Sequence, residues 1–210
     1  HNRCRRQRQM CIRDRQWWCD ALDEIASQKV VRRHEVVTPL AALIDSHAAA
    51  LLRELVTARR WDIYDDPFED AAQFERYIDY TSGHLLVVAS GVLGGADPQV
   101  VRDFAFATGL SNWFQAVPKL LSQRRHPLLD LSSKSLRRLA EQGLQRLAMA
   151  RNSRGLVSSD AGAALLCGWQ TKSYLTEAFH HPERVLSGLS GPRLFVSKAR
   201  LLAQAATGRW

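Results

Sequence analysis

Asp62, Asp65, Asp66, Glu69 and Asp70 form the one dense acidic cluster in the chain. A magnesium or calcium ion would want such carboxylate oxygens converging on one point. A helix N-terminus also favours carboxylates, because its first amides lack partners and the macrodipole is positive there. Asp66-Pro67-Phe68-Glu69 has an acid to cap, a proline for the first helical position and a glutamate at the third. That capping-box order predicts a helix start, not a metal site.

Other reactive side chains are dispersed. His34, His47, His84, His126, His180 and His181 never fall four apart with a glutamate between them, as a zinc protease requires. Ser132-Ser-Lys-Ser135 could hold a phosphate, yet serines ahead of an amphipathic run are ordinary caps. Arg124-Arg125-His126 is a short basic patch, read as a solvated turn or a contact for an anionic headgroup or protein. The cysteines, Cys4, Cys11, Cys19 and Cys167, give neither a zinc spacing nor a disulfide framework, and point to a reducing cytoplasm.

The elements that position these residues must come from a chain of 210 residues, 46% hydrophobic and 24% charged, which suits one core and one domain. The longest apolar run, around Leu85-Leu-Val-Val-Ala89, is cut by Ser90, Gly91, Gly94 and Gly95 before it could cross a bilayer. The expected location is therefore cytoplasmic, or peripheral at an inner membrane. Of the net charge of +8, six arginines against one aspartate fall in residues 1–15, leaving about +3 for the rest. That basic stretch shows no apolar period, and Met10-Cys-Ile-Arg-Asp-Arg15 is similar to translated adapter sequence. Residues 1–15 are expected to be non-native or disordered, with a basic arm for RNA or acidic lipid as the alternative.

Apolar residues recur at three and four rather than at two, so the chain reads as all-α. Helices are expected over about 16–28, with Trp18, Leu22 and Ile25 on the apolar face; over 39–50, breaking near His47 and resuming to Arg60; over 67–93; and over 98–117, capped by Asp97 ahead of Pro98. A strongly amphipathic helix follows over 132–151, buried through Leu136, Leu139, Gly143, Leu147 and Ala150, and then helices over 160–179 and 192–207. Within 67–93, Tyr77, Tyr80, Ser82 and Gly83 precede Gly91, Gly94 and Gly95. Such glycines imply a kink, close helix packing or room beside a cavity.

Tyr77-Ile-Asp-Tyr-Thr-Ser-Gly83 resembles the Tyr-Cys-x-x-Val-Ala-Gly element of squalene and phytoene synthases. Trp17-Trp18-Cys-Asp-Ala-Leu-Asp-Glu-Ile25 resembles the helix after that family's first aspartate-rich motif, and Ala163-Ala-Leu-Leu-Cys-Gly-Trp169 with Tyr174-Leu175 resembles its C-terminal region. The pieces occur in family order over residues 16–210. The resemblance implies a helical bundle of the isoprenoid synthase type, truncated at its N-terminus.

Such enzymes join two prenyl diphosphates head to head, with magnesium held by two aspartate-rich motifs neutralising the leaving diphosphates. The second motif reads approximately Asn-x-x-Arg-Asp-x-x-x-Asp, whose four-residue spacing puts both acids on one helix face. Aligned on Asn112, it places Gln115 at the arginine and Ala116 and Leu120 at the aspartates, with Pro118 expected to break the helix between them. No carboxylate occurs from Phe104 to Leu129. The first motif would lie N-terminal to Trp17.

The resemblance therefore implies a pseudoenzyme with no catalytic residues, no metal and no cofactor, and with magnesium needed only if the chain is active. One branch of the family with degraded motifs is the mitochondrial factor for assembly of respiratory complex I. The analogous expectation is a bacterial assembly or scaffold protein, partnered by a complex I subunit or assembly protein. The old prenyl cavity, lined by Tyr77, Tyr80, Gly83, Leu86, Leu110 and Phe114, would be filled or would hold a lipid or isoprenoid. A prenyltransferase and a basic nucleic-acid-binding protein are the alternatives.

Overall fold

A computed structural model describes residues 2–64, 66–192 and 194–210, and the side chains within these except 2–8 and 194. Asp65 of the acidic cluster, His1 and the side chains of the basic run as far as Arg8, Cys4 among them, lie outside the described residues. The chain divides into two compact units, His1–Asp66 and Pro67–Trp210. Among the described residues there is no strand, only an isolated antiparallel bridge between Ala96 and Val157. The all-α expectation is met.

In the first unit, α1 (Asn2–Ala26) packs against α3 (Ser46–Ala58), with α2 (Val37–Leu43) between them in sequence. Leu22 and Ile25 are buried as the periodicity required, joined by Cys19 and Ala21, while Trp18 is half-buried. The helix begins well upstream of the expected Gln16, running through the basic stretch where no element was expected. Arginine and glutamine are good helix formers, and a helix already nucleated by the buried Cys19–Ile25 face extends through them cheaply. The expected break in the second segment falls at Ile44-Asp45, a little before His47, because Asp45 accepts a hydrogen bond from the Ala48 amide (2.8 Å) and starts α3. Arg32 folds the following loop back onto α1: its guanidinium meets Glu24 at 2.6 Å and lies 5.1 Å from the Trp17 ring centroid. The hydrogen bonds from Arg32 hold the Glu24 carboxyl at about 2.

The second unit starts with α4 (Ala71–Ile78), a π-helical turn (Asp79–Gly83) and α5 (His84–Leu93), followed by α6 (Pro98–Ser122). The expected start at Asp66-Pro67 is corrected: the cap of α4 is Asp70, which accepts from the Gln73 amide at 2.6 Å, while the Gln73 side chain accepts from the Glu69 amide at 2.7 Å. The sequence carries two overlapping cap signals, and burial of Phe68 selects the second. Phe68 is 3% exposed and packs edge-on against Phe74, Tyr77 and Trp113, a staple that the helix could not make if it began at Pro67. Gly94 and Gly95, at φ +151° and +89°, form the turn after α5, where an L side chain would be strained. The turn is clamped by main-chain bonds from Asp97 to Leu156 and from Ser158 to Gly95.

Asp97 caps α6 as expected, accepting from the Gln99 and Val100 amides. Pro118 does not break this helix, which continues to Ser122. A proline inside a helix costs about 3 kcal/mol, but Phe114 and Val117 are fully buried on the same stretch. The Trp113 indole also donates to the Pro127 carbonyl (3.0 Å), holding the end of α6 to the chain beyond it. Burial of this kind outweighs one lost hydrogen bond.

Around α6 pack α7 (Ser133–Asn152), α9 (Thr171–His180) and α10 (Arg184–Ser187), while α8 (Ser159–Leu165) packs on α5. The final helix is α11 (Leu194–Thr207). The buried stripe of α7 is Leu136, Ala140, Gly143, Leu147 and Ala150, so Ala140 rather than the half-buried Leu139 faces inward. The helix expected over 160–179 is interrupted by a 3-10 turn (Leu166–Gly168). Here Gly168 lies against Phe104 and Thr108 of α6, and a Cβ would sit 2.5 Å from the Phe104 ring.

Two consequences can be measured by chemical denaturation. A Cβ on Gly109 of α6 would lie 2.6 Å from Ser82 Oγ and 2.8 Å from an Ile78 methyl, so Gly109→Ala is expected to destabilise by about 1–3 kcal/mol despite its better helix propensity. Gly91, in α5 with nothing within 4 Å, is the matched control: Gly91→Ala is expected to be neutral or stabilising by about 0.5–1 kcal/mol. The second consequence concerns Asp130, which accepts from the Ser135 hydroxyl and from the amide and hydroxyl of Ser132, and is held at about 2. Its folded pKa is depressed, so its contribution is complete above the ordinary carboxylate range and is lost as pH falls towards 2. Asp130→Asn is expected to flatten the fall in unfolding free energy between pH 5 and pH 2 (about two units around those values); an unchanged slope would show that the bonds do not matter to stability.

Candidate functional site

The segment that carried the sequence signal, Tyr77–Gly83, is the widened turn joining α4 to α5. Thr81 is 3% exposed, and its hydroxyl donates to the Tyr77 carbonyl at 2.6 Å, satisfying an acceptor where the regular ladder is interrupted. Small side chains here let α6 come close, since Ser82 and Ile78 meet Gly109 without room for a methyl group. A π turn inside an α-helix is uncommon and costs regular hydrogen bonding. Sequence periodicity does not report it, and it was read as one continuous helix.

The six residues expected to line a prenyl cavity do not share one environment. Leu110 and Phe114 are fully buried on α6, and Leu86 is 7% exposed on α5. Tyr77 is buried in an aromatic cluster, 5.2 Å from Trp113 and 5.6 Å from Phe68. Gly83 is buried against the Asp79 carboxylate, which both receives Arg102 Nη1 at 2.6 Å and occupies the place of a Cβ. Tyr80 is exposed, stacked on the buried His84 ring at 4.8 Å.

Asn112, Gln115, Ala116 and Leu120 share a different face of α6. Asn112 and Gln115 are exposed, and Ala116 and Leu120 are half-buried. The Gln115 amide nitrogen donates to the Ser111 carbonyl at 3.2 Å. The spacing of three, four and eight residues does place them together, so the missing acids are absent from a coherent face rather than displaced along the helix.

The nearest carboxylates on these elements are committed elsewhere. Asp103, 5% exposed on α6, accepts from Arg146 Nη1 of α7 at 2.8 Å, and the same guanidinium lies 5.2 Å from the Phe106 ring centroid. Asp79 is paired with Arg102 of α6. Glu75 accepts from the Gln142 side chain of α7 at 2.8 Å. In the acidic cluster, Asp70 caps α4, Asp62 lies 3.6 Å from Arg59 and 3.7 Å from Arg15, and Asp66 and Glu69 are exposed. Among the described residues, no three His, Cys, Asp or Glu side chains are grouped to hold a metal ion. An amide, an alanine methyl and a leucine are not ligands for a hard cation, so the residues at 112–120 do not fit a magnesium cluster.

Sequence reasoning missed one group of functional side chains. A pocket of about 740 Å³ in the second unit is lined by Arg151, Arg154, Lys172, Arg200 and Arg209, together with Ser173 and neighbours on α9 and α11. These residues come from three separated segments, and no local spacing announces them.

Among the described residues, no helix is long and apolar enough to cross a membrane. Neither a curated protein nor a solved structure matches the chain. A family model does, under the description squalene/phytoene synthase, over residues 5–130. The matched stretch begins within the basic segment, runs through the Tyr77–Gly83 turn and ends beyond the acid-free face of α6. It covers more than half of the sequence, and the chain belongs to the squalene/phytoene synthase family.

Proposed function

We propose that this protein is a non-catalytic member of its family, serving as an assembly or scaffold factor and not as a prenyl-coupling enzyme. The observation that carries this reading is the face formed by Asn112, Gln115, Ala116 and Leu120, which has no carboxylate where the family's second metal motif has two. Departure of diphosphate from an allylic carbon builds charge that a metal cluster must meet in the transition state. One aspartate-rich wall alone leaves that charge uncompensated. Asp79 and Asp103 do not substitute, because each is neutralised by an arginine and Asp103 is buried between helices.

The analogy with the degraded branch of the family suggests respiratory complex I as the assembly served, and a lipid or isoprenoid as the molecule that the helical framework would hold. The absence of a membrane-crossing helix among the described residues is compatible with peripheral contact at an inner membrane. Neither a metal nor a cofactor is required for this role.

Purified protein given farnesyl or geranylgeranyl diphosphate with magnesium is expected to release no diphosphate and to form no squalene- or phytoene-type product. Deleting the protein in its native host is expected to lower the amount of assembled complex I. A magnesium-dependent prenyl product would overturn the non-catalytic reading, and undiminished complex I would overturn the choice of assembly.

A further inference from the structure

The basic pocket in the second unit gathers charge that the fold itself does not neutralise. Arg151 lies in the last turn of α7 and Arg154 in the 3-10 turn after it; Lys172 opens α9, and Arg200 and Arg209 belong to α11 and the residues that follow. No carboxylate side chain lines the pocket. Among the described residues, none of the five cations makes an ion pair with an aspartate or glutamate. Their partners are neutral: Arg200 Nη1 donates to Ser173 Oγ at 2.6 Å, and Arg151 Nε and Arg154 Nη2 donate to the main-chain oxygen of Trp210 at 3.2 and 2.6 Å.

The mutual repulsion is felt in the guanidinium groups. Burial and the neighbouring Arg154 and Arg200 pull the pKa of Arg151 down, and burial and Arg209 do the same to Arg154. Two polar atoms here are buried without a partner, Arg154 Nε and Gln204 Oε1, so the donors are not saturated by the protein. The open amides of the first turn of α9 add positive potential beside Lys172 and Ser173. Like charges held together at a cost to folding are stabilised by a ligand of opposite sign.

We propose that this pocket is an anion site for a phosphate group, either a soluble phosphate ester or diphosphate or the headgroup of an acidic phospholipid. Planar guanidinium groups match tetrahedral oxyanions through paired hydrogen bonds, and Lys172 and Ser173 supply a point charge and a hydroxyl donor. The site is built from residues 151–209, beyond the stretch matched by the family model. It shares no residue with the acid-free face of α6, and it stands whether or not the protein catalyses prenyl coupling.

The test is titration calorimetry with inorganic pyrophosphate on the full chain and on Lys172→Gln/Arg200→Gln. Both side chains are exposed, so the fold should survive, with circular dichroism as the check. Lys134→Gln/Arg138→Gln, two exposed cations on α7, is the charge-matched control. The expected result is single-site binding that weakens with salt, falls at least about tenfold in the pocket variant and is kept in the control. No measurable binding at low salt, or equal loss in both variants, would overturn the proposal.

A second arm identifies the source of the phosphate by sedimentation with phosphatidylcholine vesicles carrying phosphatidate. Vesicle binding that pyrophosphate displaces and the pocket variant lacks assigns the headgroup; pyrophosphate binding without vesicle binding assigns a soluble phosphate. Vesicle binding that survives both the substitution and excess pyrophosphate would place the anion contact elsewhere and sink the pocket as its site.

Discussion

The enclosure of α6 is the constraint on which the second unit depends. From Asp103 to Ser111 every residue of that helix is buried, so its neighbours press on it from all sides and not along one stripe. A helix ordinarily keeps a polar face for water. One that cannot do so must satisfy its polar groups internally and offer small residues wherever another backbone comes near. Both demands are visible. Asp103 is matched by Arg146, Thr108 Oγ1 lies 3.2 Å from Thr171 Oγ1, and Gly109 and the facing Gly168 remove the side chains that would collide with Ser82 and with Phe104. The π turn at 79–83 belongs to the same packing, since Ser82 within it and Ile78 just before it press directly on Gly109.

That enclosure also explains how the framework persists without a metal motif. The side chains that hold α6, Phe104, Leu110, Phe114 and Val117, are fully buried and apolar, and their burial contributes the larger share of stabilisation at this helix. The face at 112–120 contributes little, because Asn112 and Gln115 are exposed and Ala116 and Leu120 only partly covered. Acids at those positions would have been conserved for catalysis or not at all; their exchange for alanine and leucine removes charge from a surface that packing does not need. The proline at 118 follows the same logic, since its neighbours are anchored strongly enough to carry a missing hydrogen bond.

Much of this architecture was legible in the sequence wherever a local interaction decides it. Asp97-Pro98 and Ser132 mark true helix starts because a cap is made by neighbours in sequence, and the stripe of α7 follows from a period of 3.6. Local signals failed where two of them competed or where tertiary contact chose. Asp66-Pro67 and Asp70 both offered a start, and the burial of Phe68 against Trp113, far along the chain, settled it. The turn at Asp79–Gly83 and the 3-10 interruption before Gly168 both answer to the approach of α6, which no window of neighbouring residues contains. In the site, the acid-free face was legible because its spacing lies on one helix, whereas the surroundings of Tyr80 and Tyr77 were not, since one is turned to solvent and the other into an aromatic cluster.

The basic pocket marks the further limit of reading charge along a chain. With six arginines in the first fifteen residues, the remaining balance of about +3 looked unexceptional. Net charge describes solubility and long-range attraction, whereas binding depends on the field at one point. Arg151, Lys172 and Arg200 are separated by about twenty to thirty residues in sequence, each among neutral or acidic neighbours that cancel it in any running sum. Folding removes the cancellation, because the acids of this region turn to other tasks: Glu177 receives the Ser190 and Gly191 amides and Arg184, away from the five cations. Segregating acids into caps and turns and leaving the cations together creates a local potential that composition does not contain, and that potential is what an oxyanion would meet.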